Sequence, residues 1–157
     1  MGKKFSGCEI VELGIHIEEN GRDFYSTLAR QTHNPQAVAI FEYLAGEEGK
    51  HIDIFRKIHA ITCSYEPEEA FPEEYFAYMK SLASQYVFTQ QNKGEKIARG
   101  VKEYNEGIDL GIQFEKDSIH FYEEMKKIVP DKEKELIDQL ISEERMHLKQ
   151  LCDLKGE

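Results

Sequence analysis

The sequence contains no C-x-x-C pair, and its three cysteines, Cys8, Cys63 and Cys152, lie far apart. That excludes zinc-ribbon and thioredoxin-type sites. An odd number without paired spacing is expected as reduced thiols, small buried or half-buried residues in a cytoplasmic protein. No apolar run approaches the ~18 residues of a membrane span, so no membrane partner is expected. Lys3-Lys4 is followed by no apolar stretch, which argues against a signal peptide. Met1-Gly2-Lys3-Lys4-Phe5-Ser6 matches only the loose myristoylation pattern. Prolines number only 4, which leaves room for long helices. Bases are also short, 20 against 30 acids, for a formal charge of −10. A domain this acidic repels phosphate backbones, and no nucleic-acid partner is expected.

Core material is plentiful. The 157 residues are 40% apolar and include 8 Tyr and 9 Phe, too many for a disordered acidic tail. This is one domain's length, 1–157. Prolines and apolar periodicity mark four long helices over roughly 7–30, 35–62, 105–128 and 131–154. Asn34-Pro35 reads as an N-cap followed by proline at the first helical position, and Asp131 as a further cap. Short links make the first and last pairs antiparallel hairpins.

The crossover, 63–104, behaves differently. Pro67 and Pro72 bracket an acidic patch, and a helical pattern then returns with Phe76, Met79, Leu82, Ala83 and Tyr86. Gln90 to Arg99 is polar. The apolar stripe is packing for an extra short helix or else a dimer surface, and a homodimer is expected. A link of this length spans a bundle, allowing helices 2 and 3 to be parallel neighbours. The expected fold is an all-α four-helix bundle with one long crossover carrying an extra short helix.

The chain also repeats itself. Ile15–Tyr25 aligns with Ile112–Tyr122, and Leu44–His51 with Leu140–His147, at offsets of 97 and 96 residues. Each second helix carries Glu three residues before His: Glu48 and His51, Glu144 and His147. That spacing sets both side chains on one face of a helix, one turn apart. With 23 glutamates in 157 residues, spacing alone decides little. The faces decide more. Phe41, Leu44, Glu48, His51, Phe55 and Ile58 form one stripe; Ile137, Leu140, Glu144, His147, Leu151 and Leu154 form another. Glu18 interrupts the apolar stripe of the first helix, and Glu115 that of the third. Asp117-x-x-His120 has the same look but lies off its stripe, as expected of solvated surface.

Four buried carboxylates repel one another and lose hydration. Two divalent cations neutralise them. Glutamate with imidazole suits iron or manganese, with zinc also compatible. Gly14, Gly21 and Gly111 are costly within helices, each by up to ~1 kcal/mol. They leave space for an exogenous molecule or let helices approach closely. Glu19, Glu47 and Glu143 turn away from the stripes and are expected in solvent. His16, His33, His59 and His120 are expected at the surface or at helix ends.

The ordered set Glu18, Glu48-x-x-His51, Glu115, Glu144-x-x-His147 resembles the ferritin-like di-iron carboxylate family, in its rubrerythrin-like branch, over nearly the whole chain. The resemblance implies two iron ions bridged by Glu48 and Glu144. It implies Glu18 and Glu115 as terminal ligands and one histidine, His51 or His147, on each ion. Tyr25 and Tyr122 match the family's ligand-orienting tyrosines, though their positions also suit plain core aromatics. The implied activity is reduction of hydrogen peroxide or dioxygen. Alternatives are a ferroxidase that handles iron and a non-catalytic helical interaction module containing metal. Full-length rubrerythrins append a rubredoxin domain with paired C-x-x-C motifs. This chain has none, so electrons are expected from a separate donor such as a rubredoxin-like protein. The family's extra carboxylate, one turn after the third-helix Glu, is here Ser118.

Overall fold

A computed structural model describes residues 8–64, 73–84, 92–127, 129 and 131–156. Among these residues six helices follow in order: α1 Cys8–Gln31, α2 Pro35–Ser64, α3 Glu73–Ser84, α4 Lys93–Arg99, α5 Tyr104–Met125 and α6 Asp131–Gly156. No strand occurs among the described residues. None of the helices is long and apolar enough to cross a membrane. The Met1–Ser6 pattern, Pro67, Pro72, Tyr86 and Pro130, and the side chains of Phe76 and Ala83, lie outside the described residues.

Local chemistry sets the helix ends. Asn34 caps α2, its Oδ1 accepting from the Ala37 amide at 3.0 Å. Asp131 sits inside the first turn of α6 and pairs with Lys134 at 2.9 Å, so it begins the helix and does not precede it.

The four long helices α1, α2, α5 and α6 form the bundle. The Tyr25 hydroxyl meets Glu115 and the Tyr122 hydroxyl meets Glu18, so α1 rises where α5 falls. His51 meets Glu144 and Glu48 meets His147, so α2 and α6 are likewise antiparallel. With α1–α2 and α5–α6 as hairpins, α2 and α5 run parallel. They are not the neighbours expected from the crossover. The close backbone pairs are α1 with α5 and α2 with α6, which sets α2 and α5 on the diagonal.

The core is one cluster, with Phe24, Phe41, Phe55, Phe121 and Leu140 wholly buried. Its glycines are close-packed. A Cβ on Gly21 would stand 2.5 Å from the Phe114 ring, and one on Gly14 would stand 2.8 Å from Met125. The space these glycines leave is taken by neighbouring side chains.

Among its described residues the crossover carries a second helix beside the expected one. The polar stretch before Arg99 forms α4, which lies on α1. Gly94 donates its amide to Asn20 Oδ1 at 3.0 Å, and a Cβ at Gly94 would stand 2.0 Å from the Asn20 carbonyl oxygen. Gln31 Nε2 donates to the Ala98 carbonyl at 2.5 Å. A seven-residue helix is marginal on its own, and these contacts with α1 hold it. In α3 Met79 is buried, as the stripe required, and Leu82 half-buried.

The cysteines depart from expectation. Cys8 and Cys63 form a disulfide with Cα atoms 4.9 Å apart. The hairpin brings the start of α1 to the end of α2, a proximity that spacing along the chain does not reveal. Cys63 and Cys152 are exposed and only Cys8 is half-buried.

Candidate metal centre

Each long helix delivers a carboxylate to the middle of the bundle. Glu18, Glu48, Glu115 and Glu144 are all 0% exposed, and His51 and His147 are 1% and 2% exposed. Six of six expected polar residues therefore converge in the core. They reach it because helical periodicity sets them among Leu, Phe and Ile on the buried stripe.

Two overlapping groups result. Glu18, Glu48, His51 and Glu144 offer ligand atoms within 4.8 Å of one another, and so do Glu48, Glu115, Glu144 and His147. Glu48 and Glu144 belong to both. His51 Nδ1 lies 2.9 Å from Glu144 Oε1 and 3.4 Å from Glu18 Oε2. His147 Nδ1 lies 3.6 Å from both Glu48 Oε1 and Glu144 Oε2, and 3.8 Å from Glu115 Oε1. The two imidazoles stack at 5.6 Å between centroids.

The tyrosines do more than fill space. Tyr25 donates to Glu115 Oε1 at 2.8 Å, and Tyr122 donates to Glu18 Oε1 at 2.6 Å. Each phenol fixes one oxygen of the carboxylate on the other helix.

Electrostatics mark the cluster as incomplete by itself. Burial, then the neighbouring Glu144 charge, pushes the Glu48 and Glu115 carboxyls well above the ordinary range. Burial, then the charge on Glu115, raises Tyr25, and burial, then the charge on Glu18, raises Tyr122. Burial opposes a charge on His51, yet Glu18 and Glu144 outweigh it and the imidazole is pushed up to about 12. Burial also acts to raise Glu144, but the neighbouring Glu115, His147 and His51 outweigh it, and it is held below the usual value. Glu18 Oε2, both oxygens of Glu48, Glu115 Oε2, Glu144 Oε2 and His147 Nδ1 are buried without a hydrogen-bond partner. Orphaned buried acceptors of this number are costly. Two divalent cations, with charge +4 against four carboxylates, would partner every one of them. The donor set therefore fits a two-metal site.

Two residues expected in solvent join the cluster. Glu143 Oε2 lies 2.6 Å from His51 Nε2, and Glu47 stands within reach of the same pair. Both are half-buried, as is Glu19. The sequence carried a signal for them, since both repeats read Glu-Glu-x-x-His. Asp117 is half-buried and bonds to Gln113, while His120 is exposed, so this lookalike stays outside the centre. His16 and His33 are exposed, but His59 is half-buried beside Cys8 and Glu12. Ser118 is buried and its hydroxyl donates to the Phe114 carbonyl at 2.9 Å.

A model of the rubrerythrin family matches residues 9–155. The chain belongs to the rubrerythrin family. Among solved structures, this rubrerythrin-family chain is similar to a crystal structure from Thermotoga maritima designated a ferritin-like diiron-carboxylate protein. The identity is 25%, the TM-score 0.72, and the similarity covers 100% of this chain and 99% of the other. No curated protein matches in sequence.

Proposed function

We propose that the chain is a di-iron carboxylate oxidoreductase that reduces hydrogen peroxide or dioxygen. The observation that carries this reading is the set of six buried Glu and His side chains, five of which hold an atom without a hydrogen-bond partner. A ferrous pair held by these residues would supply two electrons to a peroxide or dioxygen substrate. Manganese or zinc suits the same donors less specifically.

The chain's own residues divide the work. Glu48 and Glu144, common to both groups, span the two positions. Glu18 and His51 serve one position, Glu115 and His147 the other. Tyr25 and Tyr122 each bond one oxygen of a terminal carboxylate and hold that carboxylate in place. Glu143 accepts the proton on His51 Nε2, which leaves Nδ1 as a lone pair toward the centre. Buried aromatics around the cluster exclude bulk water.

Reduction of peroxide to two waters consumes two protons and two electrons. A donor such as a rubredoxin-like protein supplies those electrons. Ser118 offers no carboxylate one turn below Glu115, and the reading does not rest on ligand exchange there.

Anaerobic reconstitution with ferrous iron tests the proposal. About two ions per chain are expected, followed by rapid oxidation with peroxide or dioxygen in stopped flow. Metal content far below that figure, or a ferrous form inert to both oxidants, overturns it. Size-exclusion chromatography separates the iron-storage alternative: a homodimer supports the oxidoreductase and a hollow shell supports storage.

A further inference from the structure

A second group of ligand-type side chains lies away from the core carboxylates, where the start of α1 meets the end of α2. Cys8 and Cys63 are joined there. His59 Nε2 stands 3.5 Å from Cys8 Sγ and 3.0 Å from Glu12 Oε1. Glu12 Oε1 is 3.9 Å from the same sulfur. Both sulfurs and a ring nitrogen of His59 fall within 4.8 Å of one another. A cross-link that only ties two helices together needs two cysteines and nothing more. Here an imidazole and a carboxylate converge on the same sulfur, and the spot is open to solvent, with Cys63 and Glu12 exposed.

Two thiolates, one imidazole and one carboxylate are four donors, the number a tetrahedral zinc site takes. Thiolates select soft or borderline cations over magnesium and calcium. We propose that Cys8, Cys63, His59 and Glu12 form a redox-gated site for a thiophilic divalent cation, zinc fitting best, whose oxidised and metal-free state is the disulfide.

The chemistry balances. Hydrogen peroxide takes two electrons from the two bound thiolates; the S–S bond forms, the cation leaves, and two protons complete two waters. A phosphine reverses the first step, becoming phosphine oxide with the oxygen of water and leaving two thiols. Their protons are released as the cation binds. Exposed disulfides are the labile ones, which suits a switch.

The core cluster offers only oxygen and nitrogen donors, so a sulfur-to-metal signal reports this site alone. The full chain with Cys152→Ser, reduced by a phosphine under argon, is titrated with Co²⁺. A thiolate-to-cobalt charge-transfer band in the near ultraviolet is expected, and Zn²⁺ should abolish it by displacement. His59→Ala should weaken binding by more than about tenfold. Cys8→Ser with Cys63→Ser should lose the band yet keep its helical circular dichroism and its core metal. Peroxide added to the zinc form should release one equivalent to a chromophoric chelator, with the chain losing the mass of two hydrogens. No band in reduced, folded protein overturns the site, as does a disulfide that resists reduction until the chain unfolds. A band that His59→Ala leaves at full strength and unchanged affinity overturns the ligand set. Zinc that stays bound through peroxide treatment overturns the gating.

Discussion

His51 presents its two ring nitrogens to different surroundings. Nδ1 faces the buried carboxylates, and Nε2 meets half-buried Glu143 at 2.6 Å. A histidine ligand held this way has its tautomer and its ring angle fixed by the outer carboxylate. Glu143→Ala should therefore lower metal affinity by about 10–100-fold without unfolding the bundle. Competition with a chromophoric chelator measures it, and an unchanged affinity would make Glu143 an ordinary surface acid. The tyrosines pose a parallel case. Tyr25→Phe with Tyr122→Phe leaves Glu115 Oε1 and Glu18 Oε1 without their buried donors. The metal-free double variant should lose about 1–3 kcal/mol per site in urea unfolding. A loss of only a few tenths would reduce both phenols to packing. Residues on the buried stripes were legible in the sequence because a charge among apolar neighbours at helical spacing has no bland explanation. Glu143 was signalled only by the doubled Glu of both repeats, since it lies one residue, and about 100° of helix, away from the stripe.

At the scale of elements, the four long helices and their hairpins could be read from proline, capping and periodicity. The Asn34 cap formed as its residue type requires. Helix α4 could not be read, because its stability comes from contact with α1 and hardly from its own polar sequence. Gly94 makes that contact possible. Its amide bonds to Asn20 Oδ1, and the Asn20 carbonyl fills the place a side chain would need. The obstruction is backbone of a buried helix, which cannot swing aside. Gly94→Ala should cost about 1–3 kcal/mol, although alanine is the better helix former. Thermal unfolding of the variant measures this, and a melting temperature equal to or above the parent's would show that α4 is not docked as described. The Cys8–Cys63 bond was illegible for a related reason. Its partners are distant in sequence, and only the antiparallel packing of α1 on α2 brings them together.

For the whole molecule, the buried carboxylates set a conflict between stability and function that pH should expose. Folding raises the Glu48 and Glu115 carboxyls, so the folded chain holds protons that the unfolded chain releases above about 4.3. The stability they contribute is present below that value and lost as pH climbs. His51, pushed up to about 12, acts the same way: its contribution is present below about 6.5 and is lost toward its folded value. Glu144 is lowered and acts oppositely, but its contribution disappears only on acidification below about 4.3. Metal-free protein should therefore melt higher at about pH 5.5 than at about pH 8. Metal binding requires deprotonated ligands, so the metal-loaded form should gain as pH rises. The difference in melting temperature between the two forms should widen from the lower pH to the higher, and a constant or narrowing gap would contradict the assignment. Glu48→Gln with Glu115→Gln carries the same logic further. In metal-free protein near neutral pH the exchange removes the cost of taking up protons at these two sites on folding, and should stabilise the fold by about 1–4 kcal/mol while flattening its pH dependence. The variant should also fail to bind two ions. Stabilisation together with loss of binding would show that these glutamates are retained against the interest of the fold, which a role in folding alone does not explain.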